Sequence, residues 1–547
     1  MSELKKWWQK TPIYQVYPRS FMDADNDGIG DLKGIISKLD HIGELGFGAI
    51  WFSPFYKSPQ QDHGYDISDY YSIENDYGTM EDALTLIEET HRRGMKIIFD
   101  MVLNHTSIEH PWFRESRSGR DNPRRNWYIW RDGRGKRPPN NWRSMVGSNG
   151  WQYDEKTKQW FYCSFLSFQP DLNFNAPEVK KEMFNVMRFW LDRGVDGFRL
   201  DIFNSIYKDE SFRNNPFSFR YIPTPDNNDE CYFQKKIYNF NHPKNFELAR
   251  EVRSIVDSYD PDRMLLGEVS GNMDVLKRFF GENQDGLNLI FMFDTVNIKF
   301  SADFFRGILK RFEEQFPYPY IPTIVFGNHD VMRSISKVGN DPEKAKCLAL
   351  FQMTARGVPV VYNGEEIGMT DADFGFKKAQ DPIARQYSHI PKKLADLLGV
   401  FINRDRCRTP MQWDRSENAG FSGSGVKTWL PVNENYLSIN VETEKGDPDS
   451  LLNAYRNIIG IRNGHRVFQE GTLHLIEAGN ISPGVLMYER ACEDEKAVVA
   501  INFSGKPRKS ECKTERGKMI FSTHKGCGIM ESGIELAPNA GCVILFR

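Results

Sequence analysis

Eight short apolar runs punctuate the 547-residue chain, and each is followed by a stretch with helical spacing. The runs are Ile13–Tyr17, Ala49–Phe52, Ile97–Leu103, Gly197–Asp201, Met264–Glu268, Leu289–Phe293, Thr323–Phe326 and Val358–Tyr362. Most are continuous rather than alternating, the pattern of parallel strands buried on both faces. Between them, Leu32, Ile35, Ile36, Leu39 and Ile42 recur at helical spacing, as do Val179, Met183, Met187, Trp190 and Leu191. Asn175 followed by Glu178 reads as a capping pair for the second of these helices. Eight βα units predict an α/β fold, a closed (β/α)8 TIM barrel. The rival, an open doubly wound sheet, is disfavoured because the first βα turn lacks GxGxxG.

The spacing is uneven after the third run. The segment around His105–Leu172 is dense in Trp, Arg, Asn and Gly and has little helical period, which predicts a small inserted domain. A second long connection, roughly Gly368–Gly425, follows the eighth run. Past about Arg466 the strands shorten and alternate (Val485–Tyr488, Ala497–Phe503, Cys542–Phe546), which predicts a C-terminal antiparallel β-sandwich. The expected plan is barrel over residues 1–104, insert over 105–172, barrel again over 173–466, and sandwich over 467–547.

Charge narrows the function classes. The 71 Lys+Arg against 74 Asp+Glu leave a formal −3, with no basic excess for nucleic acid or for a polybasic membrane anchor. No run of roughly 18 apolar residues offers a membrane span. The N-terminus has no apolar signal-like core, and the eight cysteines are scattered without a CxxC. A cytoplasmic protein with reduced thiols is expected.

In such a barrel, chemistry sits at the C-terminal ends of strands. Three acids sit there: Asp201, Glu268 and Asp330. Any one alone reads equally well as a helix cap or a salt-bridge partner. Three together would converge on one mouth. Arg199, two residues before Asp201, faces the same side and is expected to keep Asp201 ionised, as a nucleophile requires. Glu268 has no cation beside it in sequence, so its pKa is expected to rise, as a general acid requires. Carboxylates tuned apart in this way equip a site for glycoside hydrolysis. Metal-assisted phosphoryl transfer also uses clustered acids, but GxxxxGK[ST] is absent.

Asp100-Met-Val-Leu-Asn104-His105, Gly197-Phe-Arg199-Leu-Asp201, Leu266-Gly-Glu268 and Phe326-Gly-Asn-His329-Asp330 resemble the four ordered motifs of the α-amylase superfamily. Gln169-Pro-Asp-Leu-Asn173 and the segment Arg404 to Trp413 resemble its α-glucosidase and oligo-1,6-glucosidase branch. The resemblance covers nearly the whole chain. It implies a retaining mechanism with Asp201 as nucleophile, Glu268 as acid/base and Asp330 as transition-state stabiliser. It implies that Asp62, Tyr65, His105, Arg199, His329 and Arg404 hold the terminal glucose, with Arg408 a second candidate for the role given to Arg404. Phe165 matches one aromatic of the pocket wall, whereas Val146 stands where the family usually has Phe. Ile202 occupies a position that is branched and aliphatic in relatives that cut α-1,6 bonds, and Thr or Ala in those that prefer α-1,4 bonds.

Asp23, Asp25, Asp27, Ile29 and Asp31 form an acidic turn that resembles the start of an EF-hand loop. Gly34 at the twelfth position excludes a full EF-hand. Related α-glucosidases bind calcium or magnesium at such a loop, and the resemblance implies a structural metal with Ile29 giving its carbonyl. The leading expectation is an exo-acting α-glucosidase acting on short gluco-oligosaccharides and leaning to α-1,6 bonds. An α-1,4-preferring enzyme and a glucosyl-transferring isomerase, such as a sucrose isomerase, are the alternatives. A non-catalytic binding relative would lack some of the acids and carry a membrane span.

Overall fold

The computed structural model describes residues 6–223, 229–373, 375–376, 379–389, 401–477, 481–512 and 515–546. Eight strands form one parallel sheet: β1 (Ile13–Val16), β2 (Ala49–Phe52), β3 (Lys96–Met101), β4 (Gly197–Leu200), β5 (Met264–Gly267), β6 (Leu289–Ile290), β7 (Thr323–Val325) and β8 (Val358–Tyr362). Their spatial order is β6-β5-β4-β3-β2-β1-β8-β7. The remaining seam, between β6 and β7, is bridged by hydroxyls. Thr323 Oγ1 donates to Ile290 O at 2.8 Å and accepts from Met292 N at 3.1 Å. Thr295 Oγ1 donates to Val325 O at 2.7 Å. The (β/α)8 barrel is therefore nearly closed, and the expected fold class holds.

Strand parity divides the core in two. Ile13, Ala49, Trp51, Ile98, Met264, Leu266, Val325, Val358 and Val360 fill the barrel interior. The alternate residues, such as Ile50, Phe52, Ile97 and Phe99, pack outward against the helices. The same parity stacks polar residues above the inner apolar layer: Gln15 above Ile13, Asp100 above Ile98, Arg199 above Gly197, and Glu268 above Leu266. The chemistry is thus a continuation of the core.

Two helices differ from the sequence expectation. The helix Pro177–Leu191 starts with Pro177 at its first position and has no side-chain cap. Pro is already set for that position and has no N–H to satisfy, and Asn175 instead accepts from Lys244 Nζ at 2.9 Å. The apolar series from Leu32 to Ile42 is split into Leu32–Ser37 and Leu39–Leu45 around Lys38.

After β3 the chain builds a three-stranded antiparallel sheet from Trp130–Arg131, Gln159–Tyr162 and Trp151–Asp154. It is tied back to the barrel where His105 pairs with Asp171 and Tyr128 with Leu172. The connection after β8 delivers Arg404 and Arg408 on a short 3-10 turn at Arg404–Cys407 and its cap; its residues 390–400 lie outside the described residues. The C-terminal region holds a five-stranded antiparallel sheet and a three-stranded one. Its Arg490, buried, donates to the carbonyl of Thr354, at the end of the helix Pro342–Thr354 between β7 and β8, at 2.6 Å. Among the described residues, no helix is long and apolar enough to cross a membrane.

Candidate active site

The acids meet at the C-terminal mouth around one buried guanidinium. Arg199 Nη1 donates to Asp201 Oδ1 at 2.7 Å and to Asp100 Oδ1 at 2.9 Å, while Nη2 donates to Glu268 Oε2 at 2.6 Å. Three carboxylates therefore share one cation. Burial pushes Asp201 up to about 7, Glu268 up to about 7 and Asp100 up to about 6, with Arg199 drawing each back down. Two expectations are corrected here. Arg199 does not keep Asp201 in the ordinary carboxylate range, because burial of the carboxyl outweighs the pull of the guanidinium. Glu268 does have a cation beside it, delivered from β4 rather than from its own strand.

Asp330 has the opposite setting. Burial works against its charge, but His329, Arg408 and Arg404 more than offset that and hold its carboxyl well below the usual range. Arg408 Nη2 reaches Asp330 Oδ1 at 2.7 Å and Arg404 Nη1 reaches it at 3.1 Å. Both candidate arginines thus contact the same acid. Arg404 also binds Asp62 Oδ1 at 2.7 Å, and Asp62 accepts from Gln169 Nε2 at 3.1 Å. This ion pair joins the β2 loop to the connection after β8 across the mouth.

His329 is fully buried, and burial lowers its pKa well below the usual imidazole range. Gln15 lies 2.7 Å from its Nδ1, and the Tyr65 hydroxyl lies 2.7 Å from its Nε2. Tyr65 stacks parallel on the imidazole at 5.4 Å, and its hydroxyl donates to Asp100 Oδ2 at 3.0 Å. His105 is buried with Nε2 3.2 Å from the Tyr65 carbonyl and Nδ1 3.2 Å from the Asn104 side-chain amide. It therefore fixes the backbone that carries Tyr65. Below the insert, Lys208 pairs with Asp171 and donates to Asn104 Oδ1 at 3.1 Å.

Ile202 holds a left-handed backbone, φ 31° and ψ 44°, and its N–H donates to Glu268 Oε2 at 3.1 Å. Phe165 is half-buried. The Val146 carbonyl accepts from the Tyr387 hydroxyl and from Gln386 Nε2.

Residues 15–471 match the family described as Alpha amylase, catalytic domain. The chain belongs to the alpha-amylase family. It is 38% identical over 530 residues to an oligo-1,6-glucosidase of Parageobacillus thermoglucosidasius, covering 91% of each chain. It is similar to the solved structure of XgtA, an alpha-glucosyl transfer enzyme, with a TM-score of 0.90, 34% identity and 99% of both chains covered. Isomaltulose synthase PalI from Klebsiella sp. LX3 matches with a TM-score of 0.88, 34% identity and 100% of both chains covered. This chain is a glycoside hydrolase of that family.

Three contributors to the mouth are absent from the sequence-derived site. Asp100 was visible as a motif residue but carried no role; its parity with Ile98 marks it as inward. Gln15 is the one polar residue in an otherwise apolar strand end. Asp381 accepts from Arg404 Nη2 at 2.8 Å and from its backbone N–H at 2.8 Å; no local signal announces it. At the acidic turn, the carboxylates of Asp23, Asp25 and Asp27 lie within 4.8 Å of one another. Asp31, outside that trio, accepts from Gly34 N at 2.8 Å and Ala24 N at 2.6 Å. It caps the helix Leu32–Ser37. Ile29 donates its N–H to Asp27 Oδ1 at 2.7 Å.

Proposed function

We propose that the enzyme is an exo-acting, retaining α-glucosidase that releases glucose from short gluco-oligosaccharides and leans to α-1,6 linkages. The observation that carries it is the shared Arg199, which grips Asp201 and Glu268 on two arms of one guanidinium. With three carboxylates around one positive charge, the site retains protons that a nucleophile and a general acid can divide between them. Asp201 attacks the anomeric carbon while Glu268 protonates the departing glycosidic oxygen. Glu268, now ionised, then takes a proton from water, which displaces Asp201. Asp330 stays ionised throughout and stabilises the positive charge that develops on the sugar ring. Tyr65, His329, Asp62 and Arg404 line the inner end, where they would surround the terminal glucose, and the Asp62–Arg404 pair spans it.

The acidic turn suits a hard divalent cation. Its oxygen donors crowd together, and Asp25 is raised first by burial and then by Asp27 and Asp31. Asp23, Asp25, Asp27 and Asp31 would hold calcium or magnesium, with the Ile29 carbonyl beside them. The ion would supply structural cross-bracing only, since Asp23 also accepts from Gly28 N at 2.8 Å and from the Ser422 hydroxyl on the connection after β8.

The test is a product inventory from maltose, isomaltose, sucrose and trehalose. Free glucose with isomaltose turned over ahead of maltose supports the reading. Conversion of sucrose into an isomeric disaccharide with little free glucose would assign the site to glucosyl transfer.

A further inference from the structure

Lys208 lies buried under the insert, in the loop after β4 that begins at Asp201. No step of the displacement uses it. Its ammonium has three protons and meets three acceptors from three parts of the chain. It pairs with the Asp171 carboxylate at the end of the insert, donates to Asn104 Oδ1 after β3 at 3.1 Å, and donates to the Ile206 carbonyl at 3.2 Å. Lys208, Asp171, Asn104 and His105 are each no more than 4% exposed, so bulk water does not compete for these bonds.

An ammonium only donates, so the Asn104 amide must turn its oxygen to Lys208. Its Nδ2 then faces His105 Nδ1 at 3.2 Å and donates to it. A ring nitrogen that accepts carries no proton. The imidazole proton therefore sits on Nε2, 3.2 Å from the Tyr65 carbonyl, which only accepts. Both ends of this chain of bonds call for the same tautomer. Asn104 and His105, either of which could turn alone, are set between a fixed donor and a fixed acceptor.

We propose that Lys208 is a positioning residue for His105: it holds the Asn104 amide so that Nδ1 of the imidazole faces a donor and stays closed to a second proton. Without the ammonium the amide is free to turn and present its oxygen to Nδ1. Both ring nitrogens then have acceptors, the condition for a charged imidazolium. Burial opposes charge on His105, Asp171 and the Tyr65 carbonyl favour it, Lys208 opposes it, and the balance lowers its pKa to about 4. Neutrality matters under the glucosidase reading, on which this consequence rests. Positive charge develops on the sugar ring, and a further cation beside Tyr65 would oppose it.

The experiment follows His105 by nitrogen NMR in enzyme with isotope-labelled histidine, its signals assigned by their loss in His105→Gln. The wild type should show a protonated Nε2 and a bare Nδ1, unchanged from about pH 8 to about pH 5.5. Lys208→Met, of similar length but without charge or donor, should take a second proton at Nδ1 with a midpoint about one pH unit or more higher. Most of that rise should vanish when Lys208→Met is made in Asn104→Ala, where no amide remains to turn. A wild type protonated on Nδ1, a midpoint that Lys208→Met leaves in place, or an equal rise with and without Asn104 overturns the proposal. Should Lys208→Met strand the Asp171 charge and fail to fold, Lys208→Met/Asp171→Asn removes both charges at once and is read in the same way against Asp171→Asn. These titrations need no sugar, so they judge the proposal even if the wild type cleaves no α-glucoside, the outcome that sinks the glucosidase reading. With isomaltose, kcat/KM of Lys208→Met relative to the wild type should be about threefold worse at about pH 5 than at about pH 7.5. A ratio constant with pH overturns the consequence for turnover.

Discussion

Ile202 spends backbone strain on two tasks. A left-handed φ of 31° in a β-branched residue costs on the order of 1–3 kcal/mol and persists only where the surroundings impose it. The strained turn aims its N–H at Glu268 and sets its side chain at the rim. A branched side chain there fills space that a second ring attached through O4 needs, whereas the extra bond of an O6 linkage lets that ring swing clear. One methylene discriminates by about 1–3 kcal/mol, so a preference follows rather than exclusivity. The ratio of kcat/KM for isomaltose over maltose should exceed one in the wild type and fall in Ile202→Thr by roughly 10-fold. An unchanged ratio removes Ile202 from the account. The acids make a second prediction. Because Asp201 and Glu268 are both pushed up to about 7, kcat/KM should peak near neutral pH. It falls on the acid side as the nucleophile takes a proton and on the alkaline side as the general acid loses one. A profile flat from pH 5 to about 9 contradicts this. The stability sign follows from the same shift. Raised carboxyls bind more protons folded than unfolded, so their contribution is fully present below about pH 4 and is lost as pH rises through about 7. Glu268→Gln should therefore melt roughly 2 °C above the wild type at pH 8, with the gap closing toward pH 4. An offset that does not vary with pH would show that Glu268 carries no such penalty.

At the scale of elements, the strands were legible because continuous apolar runs have one reading in an α/β chain. Seven of the eight starts agree with the sequence expectation, and β3 begins one residue earlier, at Lys96. The ends were less legible: β6 stops at Ile290 instead of running to Phe293, because Thr323 and Thr295 hydroxyls take over its pairing. Nothing in the run Leu289–Phe293 records a partner that lies beyond residue 290 in β7. The acidic turn was legible as a cluster, but the cap that Asp31 makes on Leu32–Ser37 was not, since alternate spacing does not report a helix cap. The turn links the β1 loop to Ser422. If a cation binds only the folded state, at about 100 times its dissociation constant it adds ~2.7 kcal/mol. Chelation should lower the melting temperature while protein that is still folded keeps its activity. Asp25→Ala should melt at the chelated wild-type temperature and ignore added calcium; a calcium response that survives in Asp25→Ala places the ion elsewhere.

Across the whole molecule, the site joins residues from far apart in the chain: Asp62 from the β2 loop, Asp330 after β7 and Arg404 from the connection after β8. The convergence of the three acids on one mouth could be read from sequence because strand parity carries an inner layer of core straight into an inner layer of polar residues. The electrostatics could not. That one guanidinium serves Asp100, Asp201 and Glu268 depends on three strands converging, so sequence neighbours suggested a calmed Asp201 that burial instead raises, whereas the rise expected of Glu268 holds. Asp381 was invisible for a related reason, lying in a connection with no period to fix its direction. The proposed function makes Asp201 a nucleophile and Glu268 an acid/base, and therefore requires a double displacement. Proton NMR of the first glucose released from isomaltose, recorded before mutarotation, reads this directly. The account predicts the α-anomer; the β-anomer would contradict it.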